Sequence, residues 1–237
     1  LNTDIINMDQ DLTGYQIIAA PMLYMFRSGI EQKLRTFVQN GGILIMTYWS
    51  GIVNETDLCH LGGTPHHLID VLGIRSEEID GLYDNQCNYM VPASNNFMTL
   101  PATYLCTHLC DLVQLKGAVP LMQYADNFYA GYPALTVHKY GDGLAFYLCA
   151  DAEDTFYYDF YRQIIQEQEL PVIMDHIPEG IEVSSRSSGR QEFIFAQNYT
   201  DSPIPFTLPG HAQILFGKYD GTIKEYSTLI YQMEVKS

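Results

Sequence analysis

The chain has 237 residues, 47% of them hydrophobic and 17% charged, which is enough apolar material for one large domain or a medium and a small one and excludes intrinsic disorder. Its 28 acidic against 12 basic side chains give a formal net charge of −16, a field that repels phosphate backbones and anionic membranes, so neither nucleic acid nor membrane is an expected partner. Five irregularly spaced cysteines, at 59, 87, 106, 110 and 149, argue against a disulfide framework and for a reducing, cytoplasmic compartment.

In chain order, Thr3 to Asn7 is predicted as a first strand. Tyr15 to Ala20 is a near-continuous apolar run ending at Pro21, the pattern of a strand buried on both faces. Ile30, Leu34, Phe37 and Val38 then share a stripe at helical spacing, with Ser28 and Glu31 placed as a capping box. Asn40-Gly41-Gly42 stops that helix, and Ile43 to Tyr48 is again a fully apolar strand. The three pieces have the order and length of a right-handed βαβ crossover.

Residues 49–65 form a long loop that carries the only tryptophan, Trp49, and three glycines. It follows the C-terminal end of a sheet strand, where open α/β sheets place their ligands. A short helix is expected from His66 to Leu72, closed by Gly73. Between 75 and 117 the pattern supports only short strands near Tyr89–Val91 and Tyr104–Leu105, and Leu109 to Gln114 fits either helix or strand. Ala118 to Ala125 reads as a strand, and Ala134–Lys139 pairs with Gly143–Ala150 across a Tyr140-Gly141-Asp142 turn. Phe156, Phe160, Ile164 and Ile165 mark a helix over Asp154 to Gln168.

From about Asp175 the texture changes to short apolar pieces: Ile181–Ser185, Glu192–Gln197, Ile204–Leu208, Ala212–Leu215 and Tyr226–Val235. Polar and glycine turns separate them, as in an all-β sandwich or open barrel. A boundary near Pro171–Pro178 follows, giving domains over 1–175 and 176–237. The chain opens at Leu1 with no signal peptide, and a signal on a longer parent would be invisible here. No apolar run approaches the roughly 18 residues of a membrane helix.

The segments Gly14–Met25 and Thr47–Glu55, then Leu61-Gly62-Gly63 and Val71–Arg75, resemble the middle domain of bacterial-type β-galactosidases of glycoside hydrolase family 42. Pro178–Val183 and Phe193–Tyr199 resemble the start of that family's small C-terminal domain. The resemblance covers most of the chain in the right order. It implies a parent with a catalytic TIM barrel, a flavodoxin-like trimerisation domain and a small antiparallel β domain, which hydrolyses terminal β-D-galactosides with retention. The fold expected here is therefore α/β: a three-layer sandwich with a mostly parallel sheet, followed by a small antiparallel β domain. The two glutamates of that reaction would lie on the barrel, so no catalytic residue is expected in this chain. The implied partners are the barrel of the parent, two further copies in a homotrimer, and a galactoside bound at the parent's active site. In the family a strand and a helix precede the stretch matching Thr3–Asn7. Their absence would leave two buried sheet edges unpaired.

The candidate chemistry is sparse. Glu77, Glu78 and Asp80, and Asp151, Glu153 and Asp154, are acid clusters without a barrel pattern. They read as solvated loop or helix-start acids. Cys59, His60, His66 and His67 have the residue types of a zinc site but not its spacing, so neither metal nor cofactor is expected. Cys106 and Cys110 read as core. Class I glutamine amidotransferases resemble this strand order and carry a cysteine nucleophile on the turn that here reads Thr47-Tyr48-Trp49-Ser50-Gly51. Trp49 occupies the nucleophile's place, and Ser50 has no assignable histidine and acid.

Two further functions stay open beside the assembly module: a stand-alone amidotransferase-like hydrolase, and a carbohydrate-binding module supported only by the 18 tyrosines. The candidates for a substrate rim or an interface are Tyr48, Trp49, Ser50 and His60. The competing reading of Trp49 is plain burial within the domain.

Overall fold

A computed structural model of the chain describes residues 1–94, 97–98, 100 and 102–234. The chain divides into two compact units, residues 6–167 and residues 168–237 joined by residues 1–5.

The larger unit contains β1 (Ile17–Ala20), β2 (Met25–Phe26), α1 (Ile30–Gln39), β3 (Ile43–Thr47), β4 (Val53–Asn54), α2 (Ile69–Leu72), β5 (Ile74–Gly81) and β6 (Asn88–Pro92). It continues through β7 (Tyr104–Leu115), β8 (Val119–Tyr124), β9 (Pro133–Tyr140), β10 (Gly143–Leu148), β11 (Ala150–Ala152) and α3 (Asp154–Glu167). Among the described residues its main sheet runs β1-β3-β10-β9-β8-β6-β7-β11, with β5 also paired to β7.

The predicted crossover is present. β1 and β3 are parallel, Ile17 opposite Ile43, and α1 packs on β3 and β10. Every residue of β3 is buried, as its unbroken apolar run requires. α1 buries Ile30, Leu34 and Val38 and ends as the glycines dictate. Gly42 N–H donates to Phe37 O and Gly41 N–H to Val38 O, with Gly41 at φ +100°, the paired bonds of a Schellman stop. α3 buries Phe156, Phe160 and Ile164.

Five expectations are corrected. Thr3–Asn7 is not a strand, and residues 1–5 belong to the C-terminal unit, where Asn2 bonds Ser185 through both its amide atoms. β1 is not buried on both faces: it is a half-exposed strand paired only with β3. One parallel edge is therefore open, not two. The capping box does not form. Gly29, at φ +92°, takes the N-cap position, and a glycine has no side chain with which to cap the first turn.

The fourth correction concerns strand direction. Only β1–β3 and β3–β10 are parallel in the main sheet, and the other pairings are antiparallel. β11 follows β10 after one residue, Cys149, and pairs with β7. The path β10-β9-β8-β6-β7-β11 thus returns to the strand it left, curling the antiparallel part around a core that holds Tyr124, Tyr147 and Cys149. Fifth, Glu77, Glu78 and Asp80 lie on a strand, β5, rather than in a loop.

The C-terminal unit holds β12 (Ile181–Ser188), β13 (Gln191–Asn198), β14 (Ile204–Pro205), β15 (Gln213–Phe216), β16 (Thr222–Ile223) and β17 (Thr228–Glu234). Four of these strands form an antiparallel sheet, β12-β13-β17-β15, and β14 pairs β16. Ile194, Ala196, Phe206, Ile223, Leu229 and Tyr231 make its core. The predicted strand end at Val235 lies outside the described residues.

Candidate functional site

The sequence-predicted site is a turn at the C-terminal end of β3. Thr47 closes the strand, and Tyr48 N–H donates to Leu148 O at 2.6 Å. Trp49 then takes φ +55°, a left-handed conformation that costs a bulky side chain about 1–3 kcal/mol. Ser50 is fully buried: its hydroxyl donates to Thr47 O at 2.8 Å and accepts Leu23 N–H at 3.1 Å. Thr47 Oγ1 accepts Met22 N–H, and Gly51 N–H reaches Leu23 O. The turn is thereby tied to the segment after β1.

Gly51, at φ +62°, leaves no room for a side chain. A Cβ there would lie 2.9 Å from His66 N and 3.0 Å from both Pro65 Cα and Phe26 Cζ. Strand, left-handed residue and glycine share part of the plan of a nucleophile elbow, with an indole in the position of the nucleophile, but β4 rather than a helix follows the turn. An indole cannot attack a carbonyl carbon.

The four sequence candidates divide. Trp49 is 37% exposed and meets Tyr24 edge to face at 6.0 Å. Met22, after β1, and Leu58 and Leu61, in the loop after β3, are also exposed, so the segments that follow the parallel strands carry apolar and aromatic surface. Tyr48 and Ser50 are buried, which removes both from any free rim. Tyr48 instead lines an apolar hollow of about 300 Å³ with Ala19, Met22, Ile45, Tyr157 and Phe160.

His60 is half-buried in the loop, where its N–H donates to Ile52 O. Its ring stacks on His66 at 4.0 Å, and His66 meets His67 at 3.7 Å. Burial, followed by repulsion from His60 and His67, pushes His66 below its ordinary value. Among the described residues no three histidine, cysteine or carboxylate side chains are grouped to hold a metal.

Sequence reasoning missed Asp111 beneath the turn, and it read Asp151 as a solvated loop or helix-start acid where the structure has it on the strand β11. Asp111, on β7, is 1% exposed. Its Oδ2 accepts Tyr147 O–H at 2.6 Å and Trp49 N–H at 3.3 Å, while Oδ1 is buried with no partner. Burial pushes the carboxyl up to about 6, against the pull of those two donors. Asp151, on β11, accepts from or bonds His108 Nδ1 at 2.6 Å and Thr107 Oγ1 at 3.3 Å. Burial first, then the Asp151 charge, raises the Tyr48 phenol.

Thr107, His108 and Asp151 have the residue types of a triad but not its geometry. Thr107 and Asp151 both meet His108 at Nδ1, so the imidazole cannot relay a proton between them. The signal for Asp111 was present: one acid in the apolar run Leu109-Cys110-Asp111-Leu112-Val113.

Comparison with known proteins agrees with the domain pattern. A family model described as the beta-galactosidase trimerisation domain matches residues 1–171, and one described as the beta-galactosidase C-terminal domain matches residues 180–233. The chain is 42% identical over 199 residues to Beta-galactosidase Pbg of Clostridium perfringens, covering 84% of this chain and 29% of that protein. It is 40% identical over 198 residues to Beta-galactosidase BglY of Alicyclobacillus acidocaldarius, covering 83% and 29%. Among solved structures, a cold-adapted beta-galactosidase from Rahnella sp. R3 superposes with a TM-score of 0.88 at 42% identity, over 98% of this chain and 34% of that one. The chain thus spans about 29% of the length of the curated relatives it matches. Two domain models in sequence order, with relatives 40% and 42% identical over more than four fifths of the chain, place it in the glycoside hydrolase family 42 β-galactosidases, as their trimerisation and C-terminal domains.

Proposed function

We propose that this chain is the assembly and active-site-supporting portion of a β-galactosidase that hydrolyses terminal β-D-galactosides with retention, and that it has no catalytic group of its own. The observation that carries the reading is the turn after β3. It is a strained, left-handed turn that presents a half-exposed Trp49 beside Tyr24. Such a surface suits a protein partner. The partners we infer are the catalytic barrel of the parent and two further copies of this chain, with Trp49 facing the barrel close enough to buttress its wall or stack on the sugar. The hollow lined by Tyr48 has apolar walls that suit packed side chains better than a hydroxyl-rich sugar.

The parallel portion, β1-α1-β3 with β10 and α3, supports reading the core as flavodoxin-like and related to the class I amidotransferases. A stand-alone hydrolase is disfavoured because the Ser50 hydroxyl is buried and bonded within the turn, donating to Thr47 O and accepting Leu23 N–H. The cytoplasmic setting we infer is supported by three buried free thiols, Cys106, Cys110 and Cys149. A chromogenic galactoside assay on the purified chain tests the non-catalytic claim. No turnover above buffer is expected, and measurable turnover would overturn it. In the parent enzyme, Trp49→Ala is expected to alter kinetics or trimer mass; a variant unchanged in both would refute the role given to Trp49.

A further inference from the structure

We propose that Asp111 is the positioning residue of the Trp49 turn: its buried carboxyl accepts Trp49 N–H and Tyr147 O–H and so fixes the left-handed backbone that presents the indole. The need arises from topology. β3 ends at Thr47 and Tyr48 N–H still bonds Leu148 O at the end of β10, so it is the N–H groups from Trp49 onward that have no sheet partner and must be satisfied elsewhere. Trp49 N–H finds Asp111 Oδ2 at 3.3 Å. Ser50 N–H faces the Tyr147 hydroxyl, which donates onward to the same Oδ2 at 2.6 Å. Two successive amides of the turn thus converge, one directly and one through Tyr147, on a single carboxylate oxygen.

A carboxyl is a costly choice for a core position, so its polar work identifies its role. The groups facing it are Tyr147 from β10, Cys149 just beyond that strand, Tyr124 from β8, Tyr48 from the turn and Cys110 on its own strand. All are neutral near pH 7, and none is a cation. The carboxyl therefore relies on neutral donors alone, and burial sets its titration at about 6. The ionised form accepts hydrogen bonds more strongly than the acid. The two bonds that hold the turn are therefore stronger once the carboxyl ionises, although burying that charge lowers the stability of the fold as a whole.

The meaning of this device for an assembled enzyme rests on the function proposed above, but its test does not. Trp49 is the only tryptophan, so emission excited selectively at the indole, away from the absorption of the 18 tyrosines, reports on this turn. Emission maximum and acrylamide quenching are followed between about pH 5 and pH 8, a range that brackets the titration. The expected result is a transition near pH 6 in the parent chain that is lost in Asp111→Asn, with Trp49 more open to quencher in that variant. Tyr147→Phe, which removes one donor to the carboxylate, is expected to move the midpoint upward. His66→Gln is expected to keep the transition. A folded Asp111→Asn chain with the parent's emission, quenching and pH profile would overturn the proposal. So would a transition that disappears in His66→Gln, or a Tyr147→Phe midpoint that does not move. A monomeric or non-supporting chain would sink the assembly reading while leaving these spectra as predicted.

Discussion

Gly51→Ala is the substitution on which the geometry of the turn speaks most plainly. The residue sits at φ +62°, and a methyl group there would lie 2.9 Å from His66 N and 3.0 Å from Pro65 Cα. Both are backbone atoms and cannot rotate away. The left-handed conformation costs an L residue about 1–2 kcal/mol, and forcing an extra carbon into filled space costs about 1–3 kcal/mol. Together they amount to roughly 2–5 kcal/mol. For a unit of this size each kcal/mol lowers Tm by about 2–4 °C, so a fall on the order of 5–15 °C is expected.

Gly14→Ala supplies the control. Gly14 has φ +90° but nothing within 4 Å of its would-be Cβ, so that variant meets only the conformational cost. Thermal melts followed by far-UV circular dichroism compare the two. If Gly51→Ala melts no lower than Gly14→Ala, the turn is not packed against residues 65–66 as described, and the reasoning fails.

Three further outcomes follow from the same contacts. Phe160→Ala removes a 1% exposed ring that packs on Phe156 and Phe146, both at 5.4 Å, and should cost about 3–5 kcal/mol in urea titration. A loss under about 1 kcal/mol would place α3 off the sheet. Arg35→Gln breaks the bonds that Arg35 makes to Asp70, the Tyr140 hydroxyl and His67 O, and should cost about 1–3 kcal/mol; no measurable loss would contradict the link between α1 and α2. His66, pushed below 6.5 in the fold, contributes stability that is present above pH 6.5 and lost as pH falls through its lowered value. His66→Gln should therefore flatten the acid side of a Tm-against-pH curve. Asp111 works with the opposite sign: its raised value contributes stability that is lost as pH rises through about 6. A His66→Gln curve that falls on acidification as steeply as the parent's would exclude the histidine stack as the cause.

What the sequence disclosed follows from which forces are local. β3, with five buried apolar residues in a row, and α1, with its stripe and glycine stop, announce themselves by pattern. So does the β9–β10 hairpin, where Gly143 faces Tyr140 across two residues. The direction of pairing beyond β10 has no such mark. β5 carries Glu77 and Glu78 where a register shift breaks the alternation, and β7 mixes Thr107 and His108 among apolar neighbours. β5 hid as loop and β7 showed only in pieces, Tyr104–Leu105 and Leu109–Gln114, so the pairing of the antiparallel, curled half of the sheet hid with them.

The site was half legible for the same reason. Trp49 could be found from its place after an apolar strand. Its partner Asp111 lies 62 positions away on a strand whose pairing had to be known first. Ser50 and Tyr48 looked accessible because a turn sequence does not reveal that the segment after β1 folds over it.

The central claim is that these residues assemble the enzyme rather than run its chemistry. The most direct test is the solution mass of the purified chain by light scattering. The account predicts a particle of three times the 26.9 kDa chain mass. A monomer at every concentration measured would contradict it.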